Sequence, residues 1–395
     1  MNVFKRLYRF LGKDMEFLRK YWIGSVFSAS AIGISIIIAI NLILELDFDS
    51  YQIQLISFYA IIGAIIGGIS SFFFMDAIKK KYNAIGILVL ANFSCFTIIF
   101  FNLIPFAIVS ILYIFLSYSC TTIFINFCVI LYQTTGILER GRVISGILAF
   151  IILLLPMLYL SLNFFEFNYI LTAVLALFVA YIFYTKRHQE LFLTPKVTKK
   201  DLINEKTVKY LIILSGLGFI EGLIHPTRLF NIDFDFFDVN FAFIISPIIL
   251  IISFILVGII FDLYGRRRSI ALMVFLVGCY GFLSYFDKNP IIANVSIGIY
   301  IAVLIMNLIA LLTIIGDIAV SPAKIIPVIS IFIIGSIFGG IQVKNLLQDS
   351  SGFDLAPLFL GNFGLLIIAM VLINTTDTLS QKEQEWNKHL VSIFV

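Results

Sequence analysis

The sequence predicts an all-α integral membrane protein of twelve transmembrane helices, disposed as two six-helix halves. Three observations lead there. Of 395 residues, 61% are hydrophobic and only 13% charged, and the mean hydropathy is +1.07. A chain whose outer face must stay wet cannot hide that much apolar surface. Apolar runs long enough to cross a hydrocarbon core recur along nearly the whole chain, about 20 residues being needed for each crossing. Lastly, 24 of the 27 Lys and Arg residues fall in the tails and alternate links that an even number of crossings places on one side.

Taken in order, the basic N-terminal stretch holds Lys5, Arg6, Arg9, Lys13, Arg19 and Lys20. No small-residue cleavage site follows a short apolar core, so the run at 22–44 reads as an uncleaved first span. Span two, 52–75, ends before Lys79, Lys80 and Lys81. Spans three and four, 83–104 and 107–132, turn around Pro105. Arg140 and Arg142 precede span five at 143–164, and span six covers 169–185. The longest polar stretch, 186–207, is a charged connector that divides a half at 1–185 from a half at 208–395. The second half runs 208–230, 239–262, 269–286, 290–316, 325–346 and 355–375, with Arg266, Arg267 and Arg268 between spans eight and nine, and Lys324 after span ten. Because Lys and Arg stay cytoplasmic, the protein is expected in a cell membrane with both termini on the cytoplasmic side. The equal halves suggest an internal repeat.

Other classes lack their signatures. Cys95, Cys120, Cys128 and Cys279 lie inside apolar runs and form no Cys/His cluster, so neither a disulfide framework nor a metal site is expected. There is no phosphate-cradling loop ending in Gly-Lys-Ser/Thr, no zinc-protease helix and no nucleophile elbow. The three histidines are far apart in sequence. An enzyme, a resident cofactor and a nucleic-acid partner are not expected.

After span eight the chain reads Gly258-Ile-Ile-Phe-Asp262-Leu-Tyr-Gly265-Arg266-Arg267-Arg268. Gly258 permits close helix approach, Gly265 a tight turn, and the arginines anchor the cytoplasmic face. The equivalent place in the first half has Asp76 followed by Lys79, Lys80 and Lys81, with Phe72 and Lys79 where the two motif glycines would stand. Glu139-Arg140-Gly141-Arg142 closes span four, and Asp317 with Lys324 is its looser counterpart after span ten. Asp377-Thr378-Leu379 ends span twelve. These residues resemble the GxxxDxxGRR(R/K) and Glu…Arg-Gly-Arg elements of the major facilitator superfamily, in the register that family uses, with a faint likeness to its sugar porters at the end of span twelve. The resemblance implies a secondary transporter working by alternating access. It also implies that the motif aspartates bind facing helix ends of the other half and stabilise the outward-open state. Asp262 should then face the start of span five near Arg142, and Asp76 the start of span eleven near Lys324. The alternative for the basic residues is topological anchoring, which is the expectation for Lys79, Lys80 and Lys81.

Ionisable residues inside spans are costly and usually line a cavity. Span seven carries Glu221, His225 and Arg228 at i, i+4 and i+7, on one helix face. Glu221 lies about 18 Å in from Lys209 at about 1.5 Å per residue. Gly218, Gly222 and Pro226 favour a broken helix, the usual way to free backbone groups for a solute. Glu221 is the expected carrier of a coupling proton; the alternatives are a structural Glu221–Arg228 pair, or a span that ends near Leu223 and leaves His225 and Arg228 at the interface. Asn126, Gln133, Asn307, Gln342 and Lys344 are further polar residues in or at the ends of spans, equally suited to interhelical hydrogen bonds or, for Lys344, to snorkelling. The expectation is a monomeric carrier of a small polar solute, a sugar or organic metabolite, with protons as a second ligand and the bilayer as its surroundings. Uniport, efflux and a non-transporting sensor are the alternatives.

Overall fold

The computed structural model of the chain describes residues 50–74, 81–101, 105–152, 177, 181, 205–224, 239–283, 290–318, 322–351 and 356–380. Every element among them is an α-helix. Lipid offers no hydrogen bonds to a bare backbone, and a helix satisfies its own amides and carbonyls. The helices are α1 (Ser50–Phe74), α2 (Lys81–Phe101), α3 (Phe106–Thr134), α4 (Arg140–Ile152), α5 (Glu205–Ile224), α6 (Val239–Tyr264), α7 (Arg266–Leu283), α8 (Pro290–Ile318), α9 (Pro322–Ser351) and α10 (Ala356–Ile373). They correspond to predicted spans two to five and seven to twelve. Spans one and six lie outside the described residues, save positions 177 and 181, as do the far ends of spans five and seven.

Local chemistry sets several ends. Pro290 and Pro322 open α8 and α9, where a missing N–H costs nothing, and Pro105 stands just before α3. α3 closes with the Thr135 amide donating to the Leu131 carbonyl at 3.0 Å. Between α6 and α7 the single residue Gly265 has φ 87°, a left-handed conformation that glycine adopts without strain. The turn is therefore one residue long, and Arg266 begins the next helix.

Four segments are each long and apolar enough to cross a membrane on described residues alone: Phe106–Tyr132, Glu205–Ile224, Gly298–Ile318 and Lys324–Lys344. The exterior is apolar. Phe73, Phe74, Phe275, Phe282, Phe359 and Met370 are all more than 60% exposed, a surface for acyl chains rather than water. Helices in lipid associate through van der Waals packing and interhelical hydrogen bonds, because lipid and protein are equally apolar. α1 runs along α3, α4 along α6, and α5 along α9. α9 also reaches α1, so the two halves touch there as well as at α4–α6. Ser117 of α3 donates to the Ala60 carbonyl of α1 at 2.6 Å, Ser119 donates to the Asn92 side chain of α2, and Tyr280 of α7 donates to the Ile224 carbonyl of α5 at 3.1 Å. At the α5–α9 crossing the two backbones nearly touch: a Cβ on Gly222 would strike the Ile337 carbonyl, and one on Gly340 the Phe219 carbonyl.

Candidate functional site

One set of ends of α3, α4, α6, α7, α8 and α10, the side on which the sequence puts the basic links, meets in one buried network of charges. Asp262, in the last turn of α6, has a side chain fully removed from solvent. Its carboxylate accepts the Gly141 amide at 3.0 Å, the Arg142 amide at 2.9 Å and the Arg142 Nε at 3.0 Å. It thus caps the N-terminus of α4 from another helix, meeting unpaired amides, the helix dipole and a guanidinium together. The contact requires the small residues that surround it. A Cβ on Gly258 would collide with the Ser145 side chain, and one on Gly141 would stand 2.6 Å from Asp262 Oδ1.

Arg266 follows the Gly265 turn and is fully buried. Its Nη1 donates to Asp262 Oδ1 at 2.8 Å and to the Phe261 carbonyl at 2.6 Å. Its Nε donates to Asp317 Oδ2 at 2.9 Å, and its Nη2 to the Ile137 carbonyl at 2.9 Å. Asp317, at the end of α8, also accepts Arg140 Nη1 at 2.6 Å and the Thr378 hydroxyl at 2.9 Å. Arg140 is held by Thr135, through its hydroxyl and carbonyl, and lies 5.5 Å from the ring centre of Tyr132. Asp377, just past α10, accepts the Arg266 amide at 3.1 Å and the Arg267 amide at 3.2 Å, capping α7. Each buried charge is paired and hydrogen-bonded several times, the condition for tolerating it there.

Glu139 accepts the Gly136 amide at 2.9 Å, ordering the turn into α4. Arg267 donates to the Ile373 carbonyl at 2.9 Å, and Arg268 is exposed. Lys324 is half-buried in the first turn of α9 and outside the network. Asp76 and Lys80 lie outside the described residues, as does the side chain of Lys81, which begins α2. Sequence reasoning placed Asp262 beside Arg142 but left unnoticed that Asp317 joins Arg140 to Arg266. It also left Thr135 unassigned, and Asp377 and Thr378 counted only for their motif. The available signal was position: Asp317 and Asp377 both sit where a second-half helix ends on the side of the basic links.

A second polar cluster lies inside the helix bundle. Glu221 on α5 is buried, 7% exposed, and its Oε2 accepts Asn307 Nδ2 of α8 at 2.6 Å. Among the described residues its Oε1 has no hydrogen-bond partner. Tyr280 and Tyr300 stack nearby with ring centres 5.0 Å apart, and Tyr300 shares a face of α8 with Asn307. His225 and Arg228 lie outside the described residues. Lys344 is buried on α9, one turn beyond Gly340, and Gln342 is exposed. Asn126 is fully buried on α3, donating to the Thr122 carbonyl at 3.0 Å while its Oδ1 lacks a partner. Gln133 falls in the last turn of α3, and its side chain lies outside the described residues.

A cavity of about 540 Å³ lies between α1 and α3 of the first half and α8 and α9 of the second, and neither Glu221 nor Asn307 is among the described residues that line it. Ile65, Phe124, Leu311 and Ile331 line it, with Thr121 and Ser330 as hydroxyl groups. Asn307 stands one turn before Leu311 on α8, and Gly218, three residues before Glu221, packs on the wall residue Ile333. Among the described residues no group of His, Cys, Asp and Glu is arranged to hold a metal ion.

Solved structures share this arrangement of helices. The chain superposes on a crystal structure of the major facilitator superfamily transporter FucP in the outward conformation, with a TM-score of 0.62 at 12% identity, covering 92% of this chain and 99% of that one. It matches a double-tryptophan mutant of XylE with a TM-score of 0.61 at 12% identity over 99% of this chain and 98% of that one. A bacterial homologue of the iron transporter ferroportin, in an outward-facing state, gives 0.57 at 12% identity over 91% and 98%. No protein-family model matches the chain, and no curated protein matches it in sequence. The fold is that of a twelve-helix, multi-pass membrane protein. It is the fold of the major facilitator superfamily transporters on which the chain superposes.

Proposed function

We propose that the chain is a secondary transporter that carries a small organic solute across the cell membrane by alternating access. The observation that carries this reading is the buried cytoplasmic network, which ties α4 to α6, α7 and α8 beneath a cavity lying between the halves. Such an arrangement is a closed gate under a binding site. The halves at 1–185 and 208–395, joined by the cytoplasmic connector 186–207, are the bodies that rock. Opening toward the cytoplasm requires breaking the bonds from Arg140 and Arg142 to Asp317 and Asp262, while Arg266 keeps both carboxylates company within the second half.

Glu221 is the proposed proton-coupling group. It is a buried carboxyl with one oxygen unpartnered among the described residues, and its Asn307 bond accommodates a charged or a neutral state. The polar solute that the motifs suggest, a sugar or organic metabolite, would depend on Glu221 and Asn307 for hydrogen bonds, since the described wall offers few others.

The test is uptake into proteoliposomes from a pool of sugars, carboxylates, amino acids and amines, with and without an imposed proton gradient. Gradient-dependent accumulation that is lost in Glu221→Gln, while exchange survives, supports the proposal. Gradient-independent equilibration makes the protein a facilitator, and movement of no solute favours a sensor built on the same fold.

A further inference from the structure

We infer that two copies of the chain pair across the outer face of α7 and α10, the Asn362 amide of each hydrogen-bonded to that of its partner. This goes beyond the single carrier that the sequence suggests, and it is independent of the solute. Asn362 stands six residues after the start of α10 and eleven before its end, about 9 Å and about 17 Å along the axis. In a hydrocarbon core roughly 30 Å thick, that depth is far from either layer of headgroups. Yet the side chain is exposed, beside Phe359, Phe363 and Leu366, each more than 60% exposed. No hydrogen bond joins its amide to any described residue. The polar side chains of Ser117, Ser119 and Tyr280 all find partners on a neighbouring helix.

Acyl chains offer an amide neither donor nor acceptor, whereas another carboxamide offers both. Hydrogen bonds of this kind hold helices together in lipid. Two copies that share a topology in one membrane are related by a two-fold axis along the membrane normal, and every residue then keeps its depth across the axis. Against the Asn362 amide, α7 presents Gly281, which has no side chain to offer. Among the described residues of this outer face, Asn362 is the carboxamide at that depth, so the group that answers it is its own counterpart. Each Nδ2 donates to the other copy's Oδ1, and the two amides close a ring of two bonds.

The surface beside the amide has the relief that such a pair needs. A groove of about 920 Å³ runs between α7 and α10, with Asn362 on its wall. Its floor is low: at Gly278 an added Cβ would find Leu365 Cδ1 at 3.8 Å and nothing closer. Phe275 and Phe282 stand along the α7 side, Phe359 and Phe363 along the α10 side. A trough edged by aromatic rings is self-complementary across a two-fold axis, because the edge of one copy enters the trough of the other, as knobs enter holes. Both helices belong to the second half, α7 packing on α8 and α10 on α5. A pair joined here leaves each first half free to rock.

The experiment places the full chain, fused to a fluorescent protein, in phosphatidylcholine vesicles over a series of protein-to-lipid ratios and counts bleaching steps per particle. The parent should bleach in two steps at the higher ratios and pass to one step on dilution. Asn362→Leu, an apolar residue at a lipid-facing position, should raise the dissociation constant at least tenfold, and Asn362→Gln, which keeps the amide, should restore most of the pairing. Gly278→Leu fills the trough and should act as Asn362→Leu does, so it carries the test if that variant gives no folded protein. Phe73→Leu, on the exposed face of α1, should leave the step count unchanged. A parent that bleaches in one step at every ratio, as for a groove that holds lipid alone, overturns the proposal. So does pairing that survives both Asn362→Leu and Gly278→Leu, or that Phe73→Leu disrupts as strongly. A monomer that moves solute in the uptake assay sinks the pairing and leaves the transporter reading standing; a pair that moves none does the reverse.

Discussion

Asp262 is the residue on which the polar contact between the halves turns. It faces two guanidiniums and two backbone amides at once, and none of its four bonds is open to water. Asp262→Asn keeps the shape but removes the charge and turns part of the acceptor into a donor that meets other donors. Removing one partner of a buried ion pair typically costs about 3–5 kcal/mol. The variant should melt at lower temperature, and a cysteine placed at Ser145, 1% exposed behind Gly258, should become reactive to a cytoplasmic thiol reagent that leaves it untouched in the parent. Arg266→Lys should act in the same direction. A single ammonium cannot span Asp262, Asp317 and the carbonyls of Phe261 and Ile137 as the planar guanidinium does. At this scale the sequence revealed Asp262 through a local motif, since Gly258, Asp262 and Gly265 are close neighbours in the chain. Asp317 and Asp377 were obscure for the opposite reason. Their partners are 177 and 111 positions away, and nothing in a short window shows which arginine a distant carboxylate meets.

Among the elements, the crossing of α5 and α9 is the least forgiving. Its glycines let a carbonyl of one helix lie against the Cα of the other. Gly222→Leu should therefore force the pair apart and abolish monodisperse protein on size-exclusion chromatography, whereas Gly335→Leu, on the same α9 but facing open space, should not. A leucine tolerated at both positions would show that the helices are not in register at Gly222. Pro327 sits inside α9 beside the cavity and leaves a backbone carbonyl one turn earlier without its donor. Pro327→Ala should straighten and stabilise the helix, seen as a raised Tm together with slower solute exchange. The elements themselves were legible in the sequence. Apolar runs predicted α1 at 52–75 and α3 at 107–132, and the helices occupy Ser50–Phe74 and Phe106–Thr134. Hydropathy registers length well because the bilayer imposes it. It says little about which face of a helix meets which neighbour, because lipid-facing and buried positions are equally apolar. The cavity at Ile65, Phe124 and Ile331 was for that reason invisible in the chain.

For the molecule as a whole, the two halves meet through a polar contact at one end, around Asp262 and Asp317, and an apolar one around the cavity. The first is all-or-none, since its charges are either paired or exposed. The second tolerates sliding. A rocking motion should thus show two populations rather than a continuum. Spin labels at the exposed positions Gly136 and Arg268, one on each side of the network, should give one short distance in the parent protein and a second, longer one in Asp262→Asn. A single unshifted distance in the variant would argue against rocking about this contact. The sharing of Arg266 between Asp262 and Asp317 has a further electrical consequence. When the halves part, the second-half wall retains two carboxylates against one guanidinium, and the first-half wall retains Arg140 and Arg142 without the acids that faced them. The open vestibule is then polarised from side to side. Its negative wall belongs to the half that contains Glu221, so a cation passing the parted network would be drawn to the same half that holds the buried carboxyl, while an anion would be held against the opposite wall.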